Sequence, residues 1–415
     1  MPSNHFFKSF TIQRQVLRVF ILLFNTFVWW YMTLMTMSII VENIKATPTQ
    51  TFVLWTIYDV LIVGSSVVGF IFSRRIERFR FLCLWITLGT FSSLFPVIFS
   101  SITLSHAFII FSTWGFLFGL GMPSCLACFA DCAPIEKRGY ISGVIFLFVN
   151  LSAPLFSILF RGTNLLTISM ISAMWRGLGL ISFFFLRPKK EMIEEKGKHS
   201  SLISVFRNRP FILYFIAWLS FCFIDQLEAP ILKEFFGSEV WNFRIILGPI
   251  ITSLSAVIGG IMCDRIGRKR IVIYGFVALG LAYAFIGIAP GLSIFWYMHI
   301  VIDGIAWGVF MVTFILTLWG DLSQPGTREQ YYVVGSIPFF LTDFVRLLFI
   351  PYVAGILPVY AAFSLASFFL FVAVLPLIYA PETLPERKIE LRRVRKYVEA
   401  ARKVKEKHEG KGVNG

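Results

Sequence analysis

Apolar stretches of about 20 residues follow one another along nearly the whole chain, separated by short polar breaks. A stretch of this length is enough for an α-helix to cross a bilayer, whereas the strands of a membrane barrel alternate apolar and polar positions. The pattern therefore predicts an all-α polytopic membrane protein. We place twelve spans, at about 16–41, 52–72, 81–100, 105–130, 140–160, 165–186, 210–232, 241–263, 271–290, 294–319, 330–353 and 357–380.

The composition supports this prediction. Of the 415 residues, 57% are hydrophobic and only 15% are charged, whereas a soluble domain carries about 25% charged residues. The first span is long, lacks a small-residue cleavage site and is followed by further spans, so we interpret it as a retained helix and not as a signal peptide.

The one long polar break before the C-terminal tail divides the chain into two six-span halves. We predict an N-terminal half at 1–186, a cytoplasmic linker at 187–209, a C-terminal half at 210–386 and a basic cytoplasmic tail at 387–415. In the tail, Leu391, Val394, Val398 and Ala401 form one apolar stripe among many lysines and arginines. This stripe is typical of an amphipathic helix lying on lipid headgroups, and a solvated charged tail fits equally well.

The net charge of +15 is distributed asymmetrically. Most basic residues fall at one face of the predicted bundle, and cytoplasmic loops of membrane proteins are enriched in Lys and Arg. The bias predicts a multi-pass protein of the cell membrane with both termini in the cytoplasm. The positive charge therefore indicates the topology in the first place. Attraction to anionic membrane lipids is a second consequence of it. Nucleic acid is not an expected partner. The opposite face holds little more than Lys45, Arg161, Lys233 and Arg244.

The two halves contain related loops. A shift of 190 positions aligns five residues of one loop, and the same shift aligns a second, unrelated loop in which Asp131 and Arg138 meet Asp321 and Arg328. Two loops that agree on one shift indicate an internal structural repeat, as in many secondary transporters. The first set pairs Gly69, Arg75, Ile76, Arg78 and Arg80 with Gly259, Arg265, Ile266, Arg268 and Arg270.

These loops resemble a known family. The run Gly260-x3-Asp264-Arg265-x-Gly267-Arg268-Lys269 is similar to the loop signature of the major facilitator superfamily, and Asp131-x2-Pro134-x3-Arg138-Gly139 resembles that family's loop between spans four and five. The ending Pro381-Glu382-Thr383-Leu384-Pro385-Glu386 is similar to that of sugar porters. The resemblance implies two pseudo-symmetric six-helix bundles, alternating access, a small-molecule solute and a monomer.

The charged loop at 259–270 is a candidate gate. Glycine lets helix ends approach closely, an aspartate can face a helix N-terminus of the other half, and arginines can pair with carboxylates. We expect Gly260, Asp264, Arg265, Gly267 and Arg268 to lock the cytoplasmic side, against the alternative that the arginines only fix topology. The expected partners lie around Asp131, Arg138, Asp321 and Arg328.

The first-half copy of this loop departs from the family pattern. Arg74 stands at the aspartate position and Glu77 at the inner glycine position. Ser73 could cap a helix weakly, and Glu77 could supply the missing anion. A lock built on the first-half copy is therefore open to question.

Ionisable residues inside spans are candidate solute or proton sites, because burying a charge there costs about 2.5–3.5 kcal/mol. The resemblance implies that spans one, four, seven and ten line the cavity, which favours Asp225 and Asp303 as carriers of a coupling proton. Arg346 is then a counter-ion or solute clamp. A static network of Asp303, Asp343 and Arg346 is the alternative. Candidate residues on these spans are Asp225, Glu228, Asp303, Trp307, Asp343 and Arg346, whereas Asp59 and Arg176 fit structural roles.

Aromatic residues crowd the predicted cavity spans, at Trp29, Trp30 and Tyr31 and again at Trp307, Phe310 and Phe314. They would suit a sugar ring or an amphipathic molecule. Span seven holds Gln226 but lacks the paired glutamines and following glycine of sugar porters, which weakens the sugar interpretation.

The leading hypothesis is secondary active transport of a small organic solute, with uptake of a sugar or organic acid favoured and proton coupling as a further hypothesis. The alternatives are export of amphipathic compounds and a transporter-like sensor without turnover. An enzyme is disfavoured, since we find no P-loop, no nucleophile–base pair and no metal-ligand motif. No cofactor is expected, and Cys125, Cys128 and Cys132 fit small apolar packing residues better than a metal site.

Overall fold

The computed structural model describes residues 3–99, 101–186, 201–353 and 358–384. Within these ranges, side chains are described except at 3–12, 226–239, 241–242, 342–343 and 345–353. The predicted tail at 387–415 and most of the predicted linker lie outside the described residues.

The described residues are helical almost throughout, which confirms the predicted all-α class. Ten helices among them are long and apolar enough to cross a membrane. The other two predicted spans, 210–232 and 330–353, run into positions without described side chains. The helices of the first half are α1 Ser3–Asn43, α2 Pro48–Ser73, α3 Arg78–Ser92, α4 Phe95–Ile98, α5 Leu104–Cys132, α6 Arg138–Phe160 and α7 Leu165–Phe185.

The second half has α8 Arg209–Ile266, α9 Arg268–Ile288, α10 Ser293–Phe310, α11 Leu318–Leu322, α12 Arg328–Val353 and α13 Val359–Tyr379. A π-helix at Met311–Thr317 joins α10 to α11. The wider turn of a π-helix often marks a functional segment. Short 3₁₀ turns lie at Ile135–Lys137 and Leu202–Arg207.

Helix α8 covers two predicted spans. A straight helix of its 58 residues would be about 87 Å long. Its two ends nevertheless meet neighbouring residues: the Tyr214 hydroxyl donates to the carbonyl of Pro381, and Glu382 accepts from the Arg268 amide just beyond the other end. The described parts, 209–225 and 243–266, therefore run in opposite directions, as two spans do.

The two halves touch at a glycine crossing. A Cβ at Gly260 on α8 would overlap the carbonyl oxygen of Gly139 on α6, and one at Gly139 would meet the Gly260 carbonyl. Backbone contact this close requires residues without side chains, as in many membrane helix pairs. The crossing brings the C-terminal end of α8 to the N-terminal end of α6.

Candidate functional site

The helix junctions at 73–78, 132–138, 266–268 and 322–328 meet at one end of the bundle, which we call the charged end. At each of the four, the helix that follows the junction begins with an arginine, at Arg78, Arg138, Arg268 and Arg328. Gly267 alone links α8 to α9, with φ of +119°, and a Cβ there would collide with the Glu382 carboxylate. The position thus needs glycine on both counts.

Asp321 is the centre of the first of two ion clusters at the charged end. Its carboxylate accepts from Arg138 of the first half at 2.5 Å and forms an ion pair with Arg268 of its own half at 2.6 Å. All three side chains are almost fully buried. Buried ion pairs hold only when well compensated, and Arg268 also donates to the Ile135 carbonyl at 2.8 Å.

Asp131 is the centre of the second cluster. It pairs with Arg78 of its own half and with Arg328 of the second half. The arrangement repeats that of Asp321 under the shift of 190 positions, because each aspartate binds one arginine from each half. The Asp131 cluster is the more hydrated, with 19% of the aspartate side chain exposed against 1% for Asp321.

Asp264 joins the halves in a different way. Its two carboxylate oxygens accept from the backbone amides of Gly139 at 2.9 Å and Tyr140 at 2.8 Å, in the first turn of α6. A carboxylate is stabilised there by unpaired amides and by the positive end of the helix dipole. Asp264 also lies 3.8 Å from Arg268.

The structure thus places eight of the nine predicted gate residues within this interface or at its glycine crossing and turn. The exception is Arg265, which is exposed and has no partner in the described part of the chain. Glu77, considered above as a replacement anion, is also exposed and pairs with Arg80. The eight are Asp131, Arg138, Gly260, Asp264, Gly267, Arg268, Asp321 and Arg328.

Two glutamates in the same region escaped prediction. Glu329 accepts from the hydroxyls of Ser73 at 2.5 Å and Ser124 at 2.8 Å, and from Arg78 at 3.2 Å. Glu382 accepts from four backbone amides, two of them at the start of α9. The position of Glu329 in the first turn of a helix was the available signal, but such glutamates are common.

Aromatic rings fill the middle of the molecule between the halves. Trp30 of α1 contacts Phe339 and Phe340 of α12, with ring centroids 5.8 and 6.4 Å apart. Trp218 of α8 stacks on Phe314 of the π-helix at 4.7 Å. Two narrow cavities lie beside these rings, and their linings are almost wholly apolar.

Among the described side chains, few polar groups lie near these rings. Asn150 accepts from the Tyr31 hydroxyl at 3.2 Å and donates to the sulfur of Met311 at 3.6 Å. Ser336 lines both cavities. A solute in this region would meet flat apolar surface and isolated hydrogen-bonding groups.

Asp225 and Asp303, the two predicted carboxylates with described side chains in the second-half spans, contact different partners. Trp307 donates to Asp225 at 2.9 Å, and Arg244 pairs with Asp303 at 3.4 Å. The Trp307 indole therefore connects α10 to the Asp225 carboxylate on α8. Glu228, Asp343 and Arg346 lie outside the residues with described side chains, and the network of Asp303, Asp343 and Arg346 stays a prediction.

Arg176 lies inside the first half and not between the halves. Its guanidinium is fully buried, donates to Asn25 and Thr26 at 2.9 Å, and lies over the rings of Trp29 and Trp85. Cation–π contacts of this kind hold a buried arginine in place. The geometry agrees with the structural role expected from the sequence.

The described helices of the two halves are thus joined at one end by ion pairs and enclose aromatic rings. Known structures show the same fold. The human organic anion transporter MFSD10 (TETRAN) superposes with a TM-score of 0.69 at 14% sequence identity, covering 88% of this chain and 99% of that one. The proton:xylose symporter XylE, bound to 6-bromo-6-deoxy-D-glucose, superposes with a TM-score of 0.72 at 15% identity, covering 90% and 97%.

No family model and no curated protein matches the sequence. The two superpositions show that the chain has the fold of major facilitator superfamily transporters, which confirms the resemblance at the level of the fold.

Proposed function

We propose that the protein is a secondary active transporter that moves a small organic solute across the cell membrane by alternating access. The observation that carries the proposal is the pair of ion clusters at Asp131 and Asp321. In each cluster the aspartate pairs with one arginine of the first half and one arginine of the second half. Contacts that cross between the halves at one end must break if the halves rock about a central site. The fold shared with known transporters supports the same conclusion.

We assign the charged end to the cytoplasm, because the excess of Lys and Arg lies there. The structure then corresponds to a state closed towards the cytoplasm. Opening would separate Arg138 from Asp321, Arg328 from Asp131, and Asp264 from the α6 amides. Water entering the gap would solvate these charges, which limits the cost of breaking the pairs.

The lining favours an amphipathic solute over a free sugar. A sugar needs several hydrogen-bonding groups around its ring, whereas the cavity linings offer mainly Phe, Met and Ile together with Ser66 and Ser336. A molecule with one flat apolar face and one or two polar groups matches the rings of Trp30, Trp218 and Phe339 together with the amide of Asn150. Export of such compounds is the second candidate, since the same lining would serve it.

Coupling to protons is the finer part of the proposal. Asp225 and Asp303 are both buried in the second half, and each has a partner that would sense a change in its charge, Trp307 and Arg244. A buried carboxylate with a specific partner is a candidate for reversible protonation.

Reconstitution into liposomes tests the proposal directly. We expect a pH gradient to drive uphill accumulation of at least one member of a panel of amphipathic organic acids, amphipathic cations and sugars. The direction of the effective gradient separates uptake from export. Flux that ignores the gradient would exclude proton coupling, and saturable binding without any flux would favour a sensor.

A further inference from the structure

The contacts between the halves are nearly symmetric, and the break in the symmetry at Asp264 is informative. Under the shift of 190 positions, the Asp131 and Asp321 clusters correspond residue for residue. Asp264 corresponds to Arg74, and its amide donor Gly139 corresponds to Glu329. The acidic residue is therefore absent from the end of α2 and present at the start of α12.

Arg74 does not take part in the interface. Its side chain is exposed, and its guanidinium lies 4.8 Å from the centre of the Phe70 ring on its own helix. Phe70 is itself the counterpart of Gly260. Both glycines of the α6–α8 crossing are thus replaced at the α2–α12 crossing, by Phe70 and Glu329.

The replacement of both glycines explains why the acid changed helix. Glycine at 139 and 260 lets α6 and α8 touch, so the short side chain of Asp264 reaches backbone amides. Helices that carry Phe70 and Glu329 at the equivalent places cannot make that backbone contact. A longer carboxylate that reaches back from α12 closes the gap instead, and it finds Ser73 at the end of α2.

We propose that Glu329 performs, from the opposite half, the locking function of the carboxylate that is missing at position 74. In both copies a carboxylate lies at a helix N-terminus, where the helix dipole favours it. Asp264 lies at the N-terminus of α6, and Glu329 lies in the first turn of α12. Glu329 is 8% exposed and accepts from Ser73, Ser124 and Arg78, all of the first half. The first-half loop, degenerate in sequence, therefore still holds the cytoplasmic side closed.

The proposal rests on the proposed transport cycle, and its test reads conformation without requiring a solute. Cys132 follows Asp131, is 5% exposed, and accepts a hydrogen bond from Arg18 at 3.2 Å. Opening of the charged end would admit N-ethylmaleimide to this thiol. Its labelling rate, measured by peptide mass spectrometry on the full chain in micelles, reports the open fraction. Cys125 is fully buried in the first half, so its labelling reports unfolding instead.

We expect Glu329→Gln to raise the labelling rate of Cys132 by about tenfold, the effect of losing hydrogen bonds to a charged group. Ser73→Ala and Ser124→Ala should each give a smaller rise. Glu77→Gln, which removes an exposed carboxylate near the same junction, is the matched control and should change nothing. An unchanged rate in Glu329→Gln would overturn the proposal.

A second variant tests the equivalence of the two positions. Adding Arg74→Glu to Glu329→Gln returns a carboxylate to the end of α2, with a side chain long enough for the wider crossing. We expect the labelling rate to fall back towards that of the wild-type protein. If it stays high, position 74 and Glu329 are not interchangeable. If Cys125 labels in Glu329→Gln, the two serine variants decide the question, and unchanged Cys132 labelling in both contradicts the lock.

These results separate the proposal from the proposed function. A wild-type protein that moves no solute in liposomes would refute transport. It would leave the effect of Glu329→Gln on Cys132 as a measure of the contact between the halves.

Discussion

Arg138 of the first half donates a hydrogen bond to Asp321 of the second half at 2.5 Å, and both side chains are at most 3% exposed. In the equivalent pair the arginine, Arg328, belongs to the second half and the aspartate, Asp131, to the first half. This pair is partly exposed to water. Two clusters of the same design thus differ in burial. Because desolvation governs the energy of an ion pair, they should differ in their contribution to stability.

Asp321→Asn should destabilise the protein more than Asp131→Asn. The first variant leaves Arg138 buried without a counter-ion and leaves Arg268 with only the Asp264 carboxylate at 3.8 Å. Removing one partner of a buried ion pair costs about 3–5 kcal/mol. The second leaves Arg78 and Arg328 partly hydrated, and Arg78 keeps its contact with Glu329. Thermal unfolding in detergent, followed by tryptophan fluorescence, measures the difference. Equal losses of Tm would contradict the assignment of burial.

Replacing Asp264 by Asn should shift the balance towards a cytoplasm-open state. The amide oxygen of Asn can serve one of the two α6 amides, but the negative charge at the helix N-terminus is lost. We expect Cys132 to label faster by about 2- to 10-fold, since an anion at a helix N-terminus contributes about 0.3–1 kcal/mol and a charged hydrogen bond somewhat more.

Arg265→Gln is the matched control, because Arg265 lies on the same turn and points into solvent. It should leave the labelling rate unchanged. A comparable rise in Arg265→Gln would show that charge near the loop, and not the Asp264 contact, sets the balance.

Much of the interface at the charged end could be predicted from the sequence because its parts recur at one fixed shift. Asp131, Arg138, Asp321 and Arg328 are recognisable as a repeated pair, and the structure brings each aspartate to the arginine of the other half. The helical pattern likewise predicted the spans, since apolar runs report membrane burial directly. A contact whose residues recur in both halves can therefore be predicted from a single sequence.

Contacts that break the repeat were not predictable in this way. Glu329 stands where the first half has Gly139, so the comparison of loops drew attention to Arg74 and away from the residue that compensates for it. The partner of Trp307 was missed for another reason. A helical-face argument orders residues along α10 but cannot say that the side chain reaches Asp225 on α8.

Gly260→Ala should force α6 and α8 apart. Its Cβ would overlap the backbone of Gly139, which has no flexible side chain to move aside. Overpacking of this kind costs about 1–3 kcal/mol, and the displacement should also pull Asp264 away from the α6 amides. We expect a lower Tm together with faster labelling of Cys132.

Gly64→Ala offers the control for this substitution. It also places an alanine in a spanning helix, but its Cβ would meet no atom within 4 Å. A neutral or slightly stabilising effect is expected there, because alanine favours the helix over glycine. The interpretation fails if both variants lose stability alike.

Asp225→Asn and Asp303→Asn should separate proton coupling from solute movement. A residue that only carries the proton is needed for uphill transport but not for counterflow, in which labelled and unlabelled solute exchange without net proton movement. We expect Asp225→Asn to abolish accumulation and retain exchange, since asparagine can still accept the hydrogen bond from Trp307.

Asp303→Asn should be the more damaging variant for the fold, because it leaves Arg244 without its carboxylate at 3.4 Å. The double variant Arg244→Gln with Asp303→Asn removes both charges and should recover part of the lost Tm. Trp307→Phe, which removes the donor to Asp225 and keeps an aromatic ring, should alter the pH dependence of transport and spare exchange. Full uphill transport by both aspartate variants would show that the coupling proton, if there is one, binds elsewhere.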